Sequence, residues 1–205
     1  MNKMVAFQSF GPPEPRRTTQ GAQDWPRLHW TLDDFDRLTE LGVFGEMDHI
    51  ELIRGEFVPM SPKGNRHERV RHELTKWLNK RLPELAELSI ELGWRPNAQT
   101  YLEPDILIFR TGCEVPEVPP GHVLLLIEVA HSSLAWDLGP RAVEFARLGV
   151  QCYWVVNAAT LDVRSYETPM PDGYQLVSDH RPDELVTPPL IPELALRMAD
   201  LGIDG

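Results

Sequence analysis

Cysteine is scarce in this chain: Cys113 and Cys152 are all that its 205 residues contain. Two cysteines so far apart make neither a disulfide framework nor a cysteine-rich metal motif, and they suit a reducing cytoplasm. Long hydrophobic runs are missing too. No segment approaches the ~18 consecutive apolar residues of a membrane helix, and Met1–Ser9 has no apolar run long enough for a secretory signal. The expectation is a cytoplasmic protein with no membrane partner. Positive charge is short, with 20 Lys and Arg against 31 Asp and Glu and a formal net charge of −11. That balance argues against a simple nucleic-acid binder with a basic surface, but not against an enzyme that brings cations to phosphates. There is no internal repeat, and no helix-turn-helix with a basic recognition helix.

What is present is enough apolar material, 42% of residues, to build a core without disulfides or structural zinc. The length fits one domain, expected over residues 29–205. Residues 1–28 hold Pro12, Pro13, Pro15 and Pro26 with few aliphatic residues, which predicts a flexible N-terminal arm. Thr31 has the form of an N-cap for a short helix, Leu32 to Leu41, stopped at Gly42. Two apolar runs around Arg54-Gly55 predict a β-hairpin, His49–Ile53 with Glu56–Met60. Val70, Leu74, Trp77, Leu78 and Leu82 form the buried stripe of a helix from about His67 to Leu82. Lys63, Arg66, Arg69, Arg71, Lys76, Lys80 and Arg81 surround that stripe, as a local basic patch or as a solvated helix face.

Strands are expected near Leu88–Leu92, Asp105–Phe109 and Val123–Val129, with a long exposed connection from Arg110 to His122. After Ser132-Ser133 a helix should run to Leu148 and end at Gly149, with Pro140 tolerated in its first turn. Strands Gln151–Asn157 and Leu161–Tyr166, and a short one around Tyr174–Val177, complete the pattern. The unit from Val123 to Val156 is a strand–helix–strand crossover, so its strands should be parallel. The fold class is therefore α/β, a mixed sheet flanked by helices and preceded by a helix and hairpin.

Glu128 is the anomaly. It lies inside Val123-Leu124-Leu125-Leu126-Ile127-Glu128-Val129, which reads as a strand buried on both faces, where a lone carboxylate costs on the order of several kcal/mol. Asp105 precedes Ile106-Leu107-Ile108-Phe109 in a similar way. If these strands are antiparallel neighbours, the two acids meet at one sheet edge, where a hard divalent cation would relieve their repulsion and acidify a water for phosphodiester cleavage. The other reading is that Asp105 caps a strand and Glu128 pairs with an arginine.

In order along the chain, Glu51-Leu52-Ile53-Arg54-Gly55-Glu56, Met60-Ser61-Pro62 with His67, Pro104-Asp105, Ile127-Glu128-Val129 with Ser132-Ser133, Asp137 and Arg141 resemble the signature of the Uma family of restriction endonucleases, in the PD-(D/E)XK superfamily. Phe145-Ala146-Arg147-Leu148-Gly149-Val150 leading into Tyr153-Trp154-Val155-Val156, and Leu190-Ile191-Pro192-Glu193-Leu194 through Leu201, extend the likeness over residues 30–201. The resemblance implies a restriction endonuclease-like core and a Mg²⁺-dependent endonuclease, with Mn²⁺ as a substitute, that hydrolyses DNA through a metal-activated water. It further implies Asp105, Glu128 and the Val129 carbonyl as metal ligands. The superfamily lysine two residues after the second acid is Ala130 here. The family's cation from the following helix is Arg141, which can stabilise charge but cannot accept a proton.

Several residues keep two readings. Arg141 either faces the sheet edge or pairs with Asp137 or Glu144. His67 either reaches a phosphate or metal-bound water, or caps its helix in solvent. Glu51 and Glu56 either approach the metal or are ordinary exposed strand acids. His67 and His72 lie on different helix faces and make a poor metal motif, and Tyr153-Trp154 reads as core. Two functions follow. One is a DNA endonuclease, with RNA or a nucleotide as a lesser substrate expectation and a homodimer by analogy. The other is a nuclease-like fold that no longer cuts and serves as a nucleic-acid-binding or assembly module.

Overall fold

The computed structural model describes residues 18–20, 26–44, 49–60 and 62–203. Most of the expected N-terminal arm, and Ser61, lie outside them. Of that arm, β1 (Thr18–Gln20) pairs antiparallel with β2 (Pro26–Leu28). Helix α1 (Leu32–Glu40) begins at Thr31, whose hydroxyl accepts from the Asp34 N–H while Asp34 reaches back to the Thr31 N–H, a reciprocal capping box.

The hairpin is β3 (Ile50–Ile53) and β4 (Glu56–Pro59). Arg54 and Gly55 both take positive φ, 50° and 80°, as its two-residue turn requires. Helix α2 (Asn65–Asn79) starts two residues before the expected His67 and ends three before Leu82. Its Val70, Leu74 and Leu78 are fully buried. Then come β5 (Ala86–Ile90), β6 (Trp94–Asn97), β7 (Thr100–Leu102) and β8 (Ile106–Arg110). The pair β6–β7 has no counterpart in the sequence reading, because Pro96 lies inside a run of only four residues. The structure accommodates it with a register shift between Trp94 and Asn97.

The connection from Arg110 to His122 is largely exposed, as expected, and is anchored at one point: Val118 is wholly buried, and its carbonyl accepts from the Trp94 indole N–H at 2.7 Å. Strand β9 (Val123–Ala130) is buried along its whole length. The crossover is α3 (Leu134–Trp136), a π-helical turn over Asp137–Arg141 and α4 (Ala142–Leu148), which ends at Gly149 with φ 86°. Pro140 therefore sits inside the helix rather than in its first turn. A proline removes an N–H and crowds the preceding turn, and the widened π turn absorbs both effects. The remaining strands are β10 (Cys152–Asn157), β11 (Val163–Met170) and β12 (Gly173–His180).

Two main sheets result. One has the order β12-β11-β10-β9-β8-β5, and the other β4-β3-β7-β6. In the six-stranded sheet only β9 and β10 run parallel, as a crossover demands. Alternation splits its core into two layers. Ile106, Ile108, Leu125, Ile127, Trp154 and Val156 pack with Val70, Leu74 and Leu78 of α2. Leu107, Phe109, Leu126, Tyr153 and Val155 pack with Phe145 of α4. Among the described residues no helix is long and apolar enough to cross a membrane.

Candidate active site

Strands β8 and β9 are antiparallel neighbours with Ile106 opposite Ile127, so one step outward brings Asp105 beside Glu128. The Asp105 N–H donates to Glu128 Oε2 at 3.3 Å. Both side chains line a cavity of about 350 Å³ together with Glu51, His67, Val129, Asp137 and Arg141. Glu56, at the turn end of β4, does not line it. His72, on the same helix as His67, does not line it either.

The two oxygens of Asp105 are used differently. Oδ2 accepts from the Val129 N–H at 2.8 Å and from His67 Nε2 at 2.9 Å. Because an ionised carboxylate only accepts, that ring nitrogen carries the proton. Oδ1 is buried and has no aligned hydrogen bond, although Lys63 Nζ lies 3.0 Å away. Burial pushes Asp105 up, but the His67 hydrogen bond, the Lys63 charge and the Val129 amide outweigh it and hold the carboxyl well below the usual range.

Arg141 is committed to carboxylates. Its Nη1 and Nη2 donate to the two oxygens of Glu51 at 2.6 and 2.9 Å, and its Nε donates to Glu128 Oε1 at 2.9 Å. Asp137 Oδ1 is farther, at 3.8 Å. Glu144 pairs instead with Arg54 at 3.3 Å. Glu51 corrects its reading as an ordinary exposed strand acid: it is 1% exposed, and it also accepts from the Glu103 N–H at 2.9 Å. Glu128 thus has both geometries that its sequence left open, facing an arginine with one oxygen and Asp105 with the other.

Negative charge is in excess here. Burial, with Asp105, Asp137 and Glu51 nearby, pushes Glu128 well above its ordinary value in spite of Arg141. Burial likewise raises Asp137 to about 6, against a Ser133 hydrogen bond and Arg141. Four buried carboxylates, Glu51, Asp105, Glu128 and Asp137, face two permanent cations, Lys63 and Arg141. With all four ionised and His67 neutral, the formal balance is short by two positive charges.

Among the described residues no three His, Cys, Asp or Glu side chains already converge as a metal cage. The donors still suit a hard divalent ion. Asp105 Oδ1 is a buried oxygen without an aligned partner, Glu128 Oε2 holds one long hydrogen bond, and such ions accept two carboxylates and a backbone carbonyl with water completing the shell.

The sequence reading missed Lys63, Glu91 and Trp136. Lys63 stands just before α2 and was legible only as one of a basic run. Within that run Arg71 pairs with Glu68 and Glu91, Lys76 with Glu73, and Arg81 stacks over Trp77, so much of its charge is locally balanced. Trp136 is 40% exposed on the cavity wall.

The sequence model of the Uma2 family, described as "Putative restriction endonuclease", matches residues 32–199. The chain belongs to that family. Its fold is similar to the crystal structure of "a putative nuclease belonging to DUF820" from Anabaena variabilis, with a TM-score of 0.63 and 22% identity over 83% of this chain and 96% of that one. No curated protein matches the sequence. Membership in the Uma2 family makes the chain nuclease-like, on the restriction endonuclease-like fold expected from its sequence.

Proposed function

We propose that this protein is a divalent-metal-dependent endonuclease acting on DNA, with Mg²⁺ or Mn²⁺ held by Asp105, Glu128 and the Val129 carbonyl. The observation that carries the reading is the charge deficit: four buried carboxylates face two cations in a cavity at the sheet edge. A divalent ion brings two positive charges against it. When bound, the ion supplies a water acidified to near neutral pH and charge neutralisation on the phosphate.

The chain's own residues do the rest. His67 and the Val129 amide fix Asp105 by its Oδ2, which leaves Oδ1, beside Lys63, as the oxygen for a metal ion to use. Arg141 holds Glu128 in place and is itself clamped by Glu51, so its role is to position Glu128 rather than to accept a proton. Trp136 offers an exposed ring on the cavity wall, suited to stacking on a base or sugar.

A second reading is a fold that binds nucleic acid without cutting it. It draws on the same arginine, whose Nε, Nη1 and Nη2 are all engaged by carboxylates, and on Ala130 standing where the superfamily has lysine.

Plasmid nicking with Mg²⁺ or Mn²⁺, with and without EDTA, separates the two, alongside calorimetric titration of metal. Cleavage that needs metal and is lost in Glu128→Ala supports the nuclease. Cleavage that persists in Glu128→Ala would overturn the assigned site, and metal binding without nicking favours the binding module.

A further inference from the structure

Lys63 occupies an unfavourable place for a cation. It directly precedes Gly64, the N-cap of α2, where the helix presents its positive end. Two carboxylates account for its position. Its Nζ lies 3.0 Å from Asp105 Oδ1 and 2.6 Å from Glu91 Oε1, and Glu91 is in turn paired with Arg71. Oδ1 is the Asp105 oxygen left over once His67 and the Val129 amide have taken Oδ2, and it is the oxygen that a metal ion would use. Arg141, by contrast, touches Glu51, Glu128 and Asp137 and leaves Asp105 alone.

We propose that Lys63 is a stand-in cation: it occupies the metal-facing oxygen of Asp105 in the metal-free protein and must be displaced when a divalent ion binds. This rests on the metal reading above. An ammonium and a divalent ion cannot share one carboxylate oxygen at contact distance without strong repulsion in a buried site. The Lys63 side chain is 23% exposed against 4% for Asp105, so the lysine is the partner able to leave. Glu91, anchored by Arg71, keeps the displaced ammonium at the rim of the cavity. The metal-free site is thereby partly neutralised, and metal affinity is lowered by the work of removing the lysine.

The test is calorimetric titration of the full chain with Mn²⁺ alone, comparing wild type with Lys63→Met and Lys63→Gln. Both variants lack the competing charge, and both should bind Mn²⁺ about tenfold or more tightly. A second measurement follows the lysine itself. The chain has four lysines, Lys3, Lys63, Lys76 and Lys80. With ¹³C-labelled lysine side chains, the Lys63 Cε signal, identified by its absence from Lys63→Met, should shift on Mg²⁺ addition while those of Lys76 and Lys80 stay. Equal or weaker Mn²⁺ binding by both variants, with wild type binding, overturns the stand-in role and leaves the metal site intact. No Mn²⁺ binding by wild type or either variant overturns the metal reading and this proposal with it.

Discussion

Replacing Arg141 by Met removes the only cation among the described residues that touches Glu51 and Glu128, which are 1% and 5% exposed. Leaving one partner of a buried ion pair uncompensated costs about 3–5 kcal/mol. For a chain of this size each kcal/mol lowers Tm by roughly 2–4 °C, so a fall of about 6–20 °C is expected. The cost should depend on pH with a definite sign. Burial and its acidic neighbours already hold Glu128 well above its ordinary value, and losing the Arg141 charge pushes it further, so the variant's stability is best preserved at low pH and is lost as pH rises. Urea unfolding followed by the fluorescence of the six tryptophans at pH 5.5 and pH 8 measures both effects. Adding Glu51→Gln to Arg141→Met should recover much of the loss, because the amide removes the charge yet keeps an oxygen for the Glu103 N–H. A cost below about 1 kcal/mol at pH 8, a cost equal at both pH values, or a double variant no more stable than Arg141→Met would refute the reasoning.

Three further outcomes follow from other parts of the structure. Asp137, raised to about 6 from an ordinary 3.8, disfavours the folded state once ionised. Asp137→Asn should gain on wild type between pH 4 and pH 6.5, by up to about 3 kcal/mol, and a gap flat with pH would count against the burial of that charge. Trp136→Ala should weaken binding of a single-stranded DNA oligonucleotide in Ca²⁺ by about 1–3 kcal/mol in fluorescence anisotropy, with Tm unchanged. Gly55→Ala should destabilise by about 1–3 kcal/mol in the same urea assay, since its φ is +80° and a Cβ would meet the Trp30 carbonyl at 3.0 Å and His29 Cβ at 3.2 Å.

Much of this fold is written in local patterns. The N-cap at Thr31, the Arg54-Gly55 turn and the Val70–Leu74–Leu78 stripe each depend on neighbours within a few positions, and each is where the sequence places it. The meeting of Asp105 and Glu128 was legible for a different reason: an acid inside an apolar strand demands compensation, and antiparallel neighbours put the start of one strand beside the end of the next. Three features were hidden. The burial of Glu51 depends on Arg141, 90 positions away, so its own strand reads as a half-exposed hairpin. Lys63 gains its meaning from Asp105 and Glu91, neither of which its helix pattern encodes. The π turn around Pro140 answers a local steric demand that a 3.6-residue period does not express.

The Glu51–Arg141 pair joins β3 of the four-stranded sheet to the crossover of the six-stranded one. It closes a loop of 90 positions, a closure cost that favours its forming after the two sheets themselves. Interactions made that late are absent from the transition state, and they act on the rate at which the native structure opens. In stopped-flow kinetics Arg141→Met should therefore unfold faster than wild type while refolding at nearly the same rate. The charge network at the cavity then sets how long the folded protein lasts more than how quickly it forms.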